Sequence, residues 1–128
     1  MIELLIAVVI VGILAAIAIP SYQESIRKSR RKAAATCLVE HAQFMERSYT
    51  TNLTYIGAAL PALGCATDLN AFYTFALNGA ATATTYVLQA TAIGSQVNDT
   101  KCGNLGLNQA GIKTEGGTAA TANECWIQ

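Results

Sequence analysis

Charge is scarce in this chain and balanced where it occurs. Only 12 % of the 128 residues are charged, with eight Lys and Arg against eight Asp and Glu. Taken over the whole chain, that balance argues neither for nor against a charged partner. Histidine is almost missing, His41 being the single one. A Cys–His or Ser–His dyad is therefore excluded everywhere except beside Cys37, one helical turn before His41. No glycine-rich loop follows a strand pattern, which removes the usual phosphate cradle. Glu40 and Glu46 fall on well-separated faces of a helix and do not make a paired acid and base. Nothing here supports an enzyme.

Cys37 and His41 have a spacing that could hold a metal on one helical face, but a structural zinc wants four ligands. Spending these cysteines on zinc would leave the others unpaired, so disulfides are the better reading, and neither a metal nor another cofactor is expected. Cys37, Cys65, Cys102 and Cys125 form an even set in a small domain, which suits an oxidising compartment. Four cysteines allow three pairings, and the spacing alone does not choose among them.

What the chain has in abundance is apolar surface at its front. From Leu4 to Ile19 there is no polar side chain. As a helix those residues span about 24 Å, slightly short of the ~30 Å hydrocarbon core of a bilayer. Met1 and Ile2 extend them. A helix apolar on every side has no face to offer water and must be covered by lipid or protein. A signal peptide would have a shorter apolar run, a basic segment in front and a small-residue cleavage site; this run starts with an acid and ends at Pro20. Glu3 is the oddity, because a carboxylate entering a bilayer costs about 3 kcal/mol and an ionisable group there marks function. Pro20 cannot donate its backbone N–H, so it should kink or open the helix, and Gly12 is the other weak point.

From Ser21 to about Tyr49 the sequence is again helical, without Gly or Pro. Ala34, Cys37, Leu38, His41, Phe44, Met45 and Ser48 recur at helical spacing and should pack beneath a sheet. Tyr22 to Lys32 has no such stripe and reads as an exposed neck. It carries five of the eight cations: Arg27, Lys28, Arg30, Arg31 and Lys32. The positive-inside rule alone would place this cluster in the cytoplasm, against the vote of the cysteines. Residues 50–71 show no period and read as a long loop tied down at Cys65. Strands are expected over 72–77, ending at the Asn78-Gly79 turn signal, then 85–92, 105–108 and 112–114. A long helix followed by a small antiparallel sheet is an α+β arrangement. It divides into an apolar segment 1–20, a neck and amphipathic helix 21–49, and a head 50–128.

Over Ile2 to Tyr22 the chain resembles the type IV pilin family, type IVa class, almost residue for residue. The resemblance implies the pilin fold, with the N-terminal helix packed against that sheet. Mature pilins usually begin with an N-methylated Phe and a Thr before the residue matching Met1, so Met1 is expected to be internal, behind a basic leader removed by prepilin peptidase. The leader would supply the cytoplasmic charge and leave the head outside the inner membrane. By resemblance, Glu3 neutralises the N-terminal amine of a neighbouring subunit during assembly. The segment from Gly12 to Pro20 can lose its helical hydrogen bonds inside the filament. Cys102 and Cys125, with Trp126 directly after, resemble the disulfide-bounded loop of pilins, and Cys37 and Cys65 resemble a helix-to-loop bridge found in a subset.

The function implied is a structural subunit. Inner-membrane lipid holds it before the assembly machinery builds copies of it into an extracellular filament for adhesion, twitching motility or DNA uptake. The neck cations would then serve subunit packing or anion contacts. The alternatives are a minor pilin that binds DNA or a host surface, or a type II secretion pseudopilin. Only Arg47, Lys101 and Lys113 lie beyond the neck as basic residues for DNA. Pseudopilins commonly use calcium in place of disulfides, so the four cysteines count against that reading.

Overall fold

The computed structural model describes residues 1–126. Helix α1 runs without interruption over Ile2–Asn52, 51 residues. Its N-terminal part contains both Gly12 and Pro20, and the chain passes through Pro20 as helix even though proline cannot supply the bond to the carbonyl four residues back. Melting of Gly12 to Pro20 is a property expected of the filament, and the isolated chain is helical there. At its other end α1 runs three residues past the expected Tyr49. The hydroxyls of Thr50 and Thr51 donate to the Arg47 carbonyl. Leu53, in the left-handed region at φ 57°, returns its N–H to the Tyr49 carbonyl. That closing bond satisfies a carbonyl the helix end would otherwise leave bare.

The loop that follows is not structureless over 50–71. Gly64–Asp68 form a short helix, α2, which Cys65 ties to α1. Five residues make little more than one turn, too few for a period to show in the sequence. Four antiparallel strands follow in meander order: β1 (Tyr73–Leu77), β2 (Val87–Ala92), β3 (Leu105–Asn108) and β4 (Lys113–Glu115). Each lies within two residues of its expected place. Phe75 faces Ala90, Leu88 faces Leu107 and Gly106 faces Thr114. The last described element is α3, Asn123–Trp126, which carries Cys125 and Trp126 inward.

The sheet packs its inner face on the C-terminal half of α1. The helical stripe read from the sequence is the one that is buried: Ala34, Cys37, Leu38, His41 and Met45 are covered, with Phe44 and Ser48 at its margin. Tyr73, Leu88 and Leu105 meet them from the strands, all fully buried. Each such apolar side chain contributes roughly 1.5–3 kcal/mol relative to exposure. Between β2 and β3 a 3-10 turn over Gly94–Asn98 drops back against α1. It starts at Gly94 with φ +57°, where an added Cβ would come within 2.6 Å of the Ala71 carbonyl oxygen. Glycine is required there on both counts, and the turn it permits is what brings Gln96 and Asp99 to the helix.

Candidate functional site: the apolar helix and the basic neck

Side chains of the first nineteen residues are bare almost throughout. Leu5 is 66 % exposed and Leu14 62 %, with no part of the apolar window buried within the chain. The hydrophobic effect opposes leaving this much apolar surface in water. Glu3 sits in the first turn, where a carboxylate is favoured by the helix dipole. Among the described residues no other side chain of the same copy is bonded to it.

At the neck the five cations do not form one cluster. Arg31 is buried, in contrast to the exposed neck expected over Tyr22 to Lys32. Its Nε and Nη2 donate to the two carboxylate oxygens of Asp99 at 2.8 and 3.0 Å. Asp99 is itself only 3 % exposed, and Glu24 approaches the outer side of the same guanidinium at 3.5 Å. Gln96 completes the latch. Its amide nitrogen donates to the Arg27 carbonyl at 3.2 Å and to the Tyr73 hydroxyl at 3.1 Å, and lies 3.4 Å from Asp99. Burial, reinforced by the Asp99 charge, pushes the Tyr73 hydroxyl up to about 12, against the opposing pull of the Gln96 hydrogen bond and the Arg31 charge. The latch joins α1 to the turn after β2. No spacing rule could have found it, because its partners are 68 residues apart.

The other four cations remain at the surface. Arg30 lies 3.6 Å from the centroid of Phe72 and donates from Nη1 to the Ser95 hydroxyl at 3.1 Å. Arg27 is 3.7 Å from Glu24 on the preceding turn. Lys28 and Lys32 project on another face and are exposed. Beyond the neck, Lys101 pairs with Glu124 at 3.1 Å and Lys113 lies 5.5 Å from the Trp126 ring centroid.

The disulfides join Cys37 to Cys65 and Cys102 to Cys125, with Cα atoms 5.7 and 5.6 Å apart. Cys37, Cys65 and His41 do converge. The two sulfurs are bonded to each other, however, so only the imidazole is left as a ligand. That imidazole stacks on Phe75 and has Nδ1 2.9 Å from the Cys37 carbonyl. Glu46, read as an isolated acid, accepts hydrogen bonds from the hydroxyls of Tyr55 and Tyr86 at 3.0 and 3.1 Å. Burial and the Glu46 charge push the Tyr86 hydroxyl well above its ordinary value. Of the two acids toward the C-terminal end of α1, Glu40 is exposed and Glu46 is engaged by tyrosines.

No curated protein matches the chain. Among solved structures, a type IV pilin from Shewanella oneidensis is 26 % identical, with a TM-score of 0.59, over 80 % of this chain and 99 % of that one. The non-core minor pilin PilV of Neisseria meningitidis has the same fold at a TM-score of 0.59 and 22 % identity, over 77 % of this chain and 94 % of its own. Residues 20–106 match the family described as type IV minor pilin ComP, DNA uptake sequence receptor. The chain therefore belongs to this family of type IV pilins.

Proposed function

We propose that this pilin is a filament subunit, held in the inner membrane by its N-terminal helix until the helices of many copies leave lipid for a common core. The observation that carries the reading is the bare helix itself, apolar from Leu4 to Ile19 and uncovered by its own head. Moving it from lipid to a bundle of identical helices keeps apolar surface buried throughout, so the transfer is close to balanced and reversible. Glu3 supplies the one polar specification in that dry environment, and the disulfide-closed head is carried outward as the filament surface. Mass spectrometry of sheared, purified filaments tests it: the chain must be present in them. Its complete absence from filaments, with the membrane pool intact, would overturn the reading.

A second reading, that the chain is a minor pilin whose head binds DNA, is favoured by one observation, the match of residues 20–106 to a family described as a DNA uptake sequence receptor. Its surface cations would be Lys28, Lys32 and Arg47, which are exposed, and Arg27 and Arg30, which already touch Glu24 and Phe72 with Ser95. Arg31 is spent on Asp99, and Lys101 and Lys113 already have partners, which leaves a small electrostatic footprint. The same filament preparation gives the stoichiometry. Trace abundance together with salt-resistant binding of one particular oligonucleotide supports the minor, receptor role. Dominant abundance and weak binding without sequence preference supports the structural one.

A further inference from the structure

Arg27 and Arg30 line a groove of about 270 Å³ together with Gln23, Ile26, Ser95 and Asn98. Gln23 and Ile26 also line a second, apolar slot that continues toward the membrane along Ala18, Ile19 and Tyr22. The neck thus presents cations and amides at one end and aliphatic and aromatic carbon at the other, side by side on one helix. We propose that this composite groove binds one anionic phospholipid while the pilin waits in the bilayer, its phosphate on Arg27 and Arg30 and an acyl chain along Ile26, Tyr22 and Ile19. The inference rests on the membrane-held reading given above.

Three features point to lipid over other phosphate carriers. Position is the first. Arg27 follows Ile19 by about 12 Å along the helix axis, and helical side chains lean toward the N-terminus, back toward the membrane. The headgroup layer extends about 5–8 Å beyond each hydrocarbon face. Preorganisation is the second. Arg30 is already fixed by Phe72 and Ser95, so a phosphate finds part of a planar donor fork in place without ordering a free side chain. Local charge is the third. Asp99 holds Arg31 from inside and Glu24 is shared between Arg31 and Arg27, so at the groove Arg30 has no carboxylate partner and Arg27 only a shared one, which leaves that face net positive. A nucleic acid would satisfy that charge but would leave the apolar slot empty.

The full chain is reconstituted in nanodiscs of phosphatidylcholine with or without phosphatidylglycerol, and retained lipids are counted by native mass spectrometry. Wild type should retain phosphatidylglycerol in preference to phosphatidylcholine. Arg27→Gln with Arg30→Gln should lose that preference by about fivefold per cation removed. Lys28→Gln with Lys32→Gln, on the other face, should keep it, and Arg30→Lys should fall between. Tyr22→Ser should weaken retention although no charge changes, and excess inorganic phosphate should leave the lipid bound. Normal entry into both bilayers without any preference would overturn the site alone, as would equal loss in the lysine pair or displacement by phosphate. Entry into neither bilayer would overturn the membrane-held reading and the site together. Retention of a duplex oligonucleotide through Arg27 and Arg30, in place of lipid, would reassign the groove to nucleic acid.

Discussion

Arg31 on the long helix and Asp99 on the turn after β2 form a bidentate buried ion pair, with N–O distances of 2.8 and 3.0 Å. The pair fixes the lower edge of the head to the helix. Two charges taken out of water cost free energy that their attraction only offsets when the geometry is good, so removing one partner is far worse than removing both. Asp99→Ala should destabilise the protein by about 3–5 kcal/mol. Arg31→Met with Asp99→Leu should recover much of that loss. Chemical denaturation of the single and double variants checks it, and a double variant as unstable as the sum of the singles would show that the two charges are not coupled.

The disulfides close chain segments separated by 28 and 23 residues. In the chain-entropy model loops of this size contribute about 3–4 kcal/mol each, mostly by restricting the unfolded chain. Replacing Cys102 and Cys125 together by serine should lower stability by about that amount while the sheet is retained. Cys102 and Cys125 are both buried, so an added penalty for the serine hydroxyls is expected, and the double alanine variant separates the two effects. Equal unfolding midpoints with and without reductant would refute the expectation.

Tyr73 gives a pH dependence with a definite sign. Its hydroxyl is pushed from 10.0 to about 12 in the folded protein, chiefly by burial. The folded state therefore holds this proton more tightly than the unfolded chain does. The corresponding stability is fully present below pH 10 and is lost as pH rises through about 12. Denaturation at a series of alkaline pH values should show the decline, and Tyr73→Phe should flatten part of it. Tyr86, also raised, accounts for some of the remainder. A stability profile level across that window in the wild type would contradict the burial argument.

The fold was legible in this sequence because its signals are local. The apolar run to Ile19, the 3.6-residue stripe from Ala34 to Met45, and the alternation in Phe72 to Leu77 each lie within one element. What escaped was short or distant. Helices α2 and α3 have five and four residues, which leaves no period to read. Arg31 shares its sequence neighbourhood with four cations that stay outside, and nothing in that neighbourhood announces Asp99. Gln96 and Glu46 are likewise defined only by partners from other elements. Of the candidate site, the helix could be read directly, but the division of the basic neck into a latch and an open groove required the tertiary structure.

Glu3 yields the sharpest functional prediction. It lies in the first turn of a helix whose following sixteen residues carry no polar side chain. Replacing it by Val or Gln leaves the apolar segment intact and removes a charge that a bilayer disfavours, so the membrane pool should persist or rise. Assembly has the opposite requirement. If a neighbouring subunit's N-terminal amine is buried against Glu3, as the family resemblance implies, its loss leaves a cation unpaired in an apolar core at a cost of about 3–5 kcal/mol. The two quantities should therefore separate: protein in the membrane fraction stays while sheared surface filament falls steeply. Glu3→Asp keeps the charge but shortens its reach by one methylene, and should give an intermediate yield. Both fractions are measured by immunoblot for each correctly processed variant. Wild-type amounts of filament from Glu3→Val would mean that the helix acts only as an anchor and that register in the filament is set elsewhere.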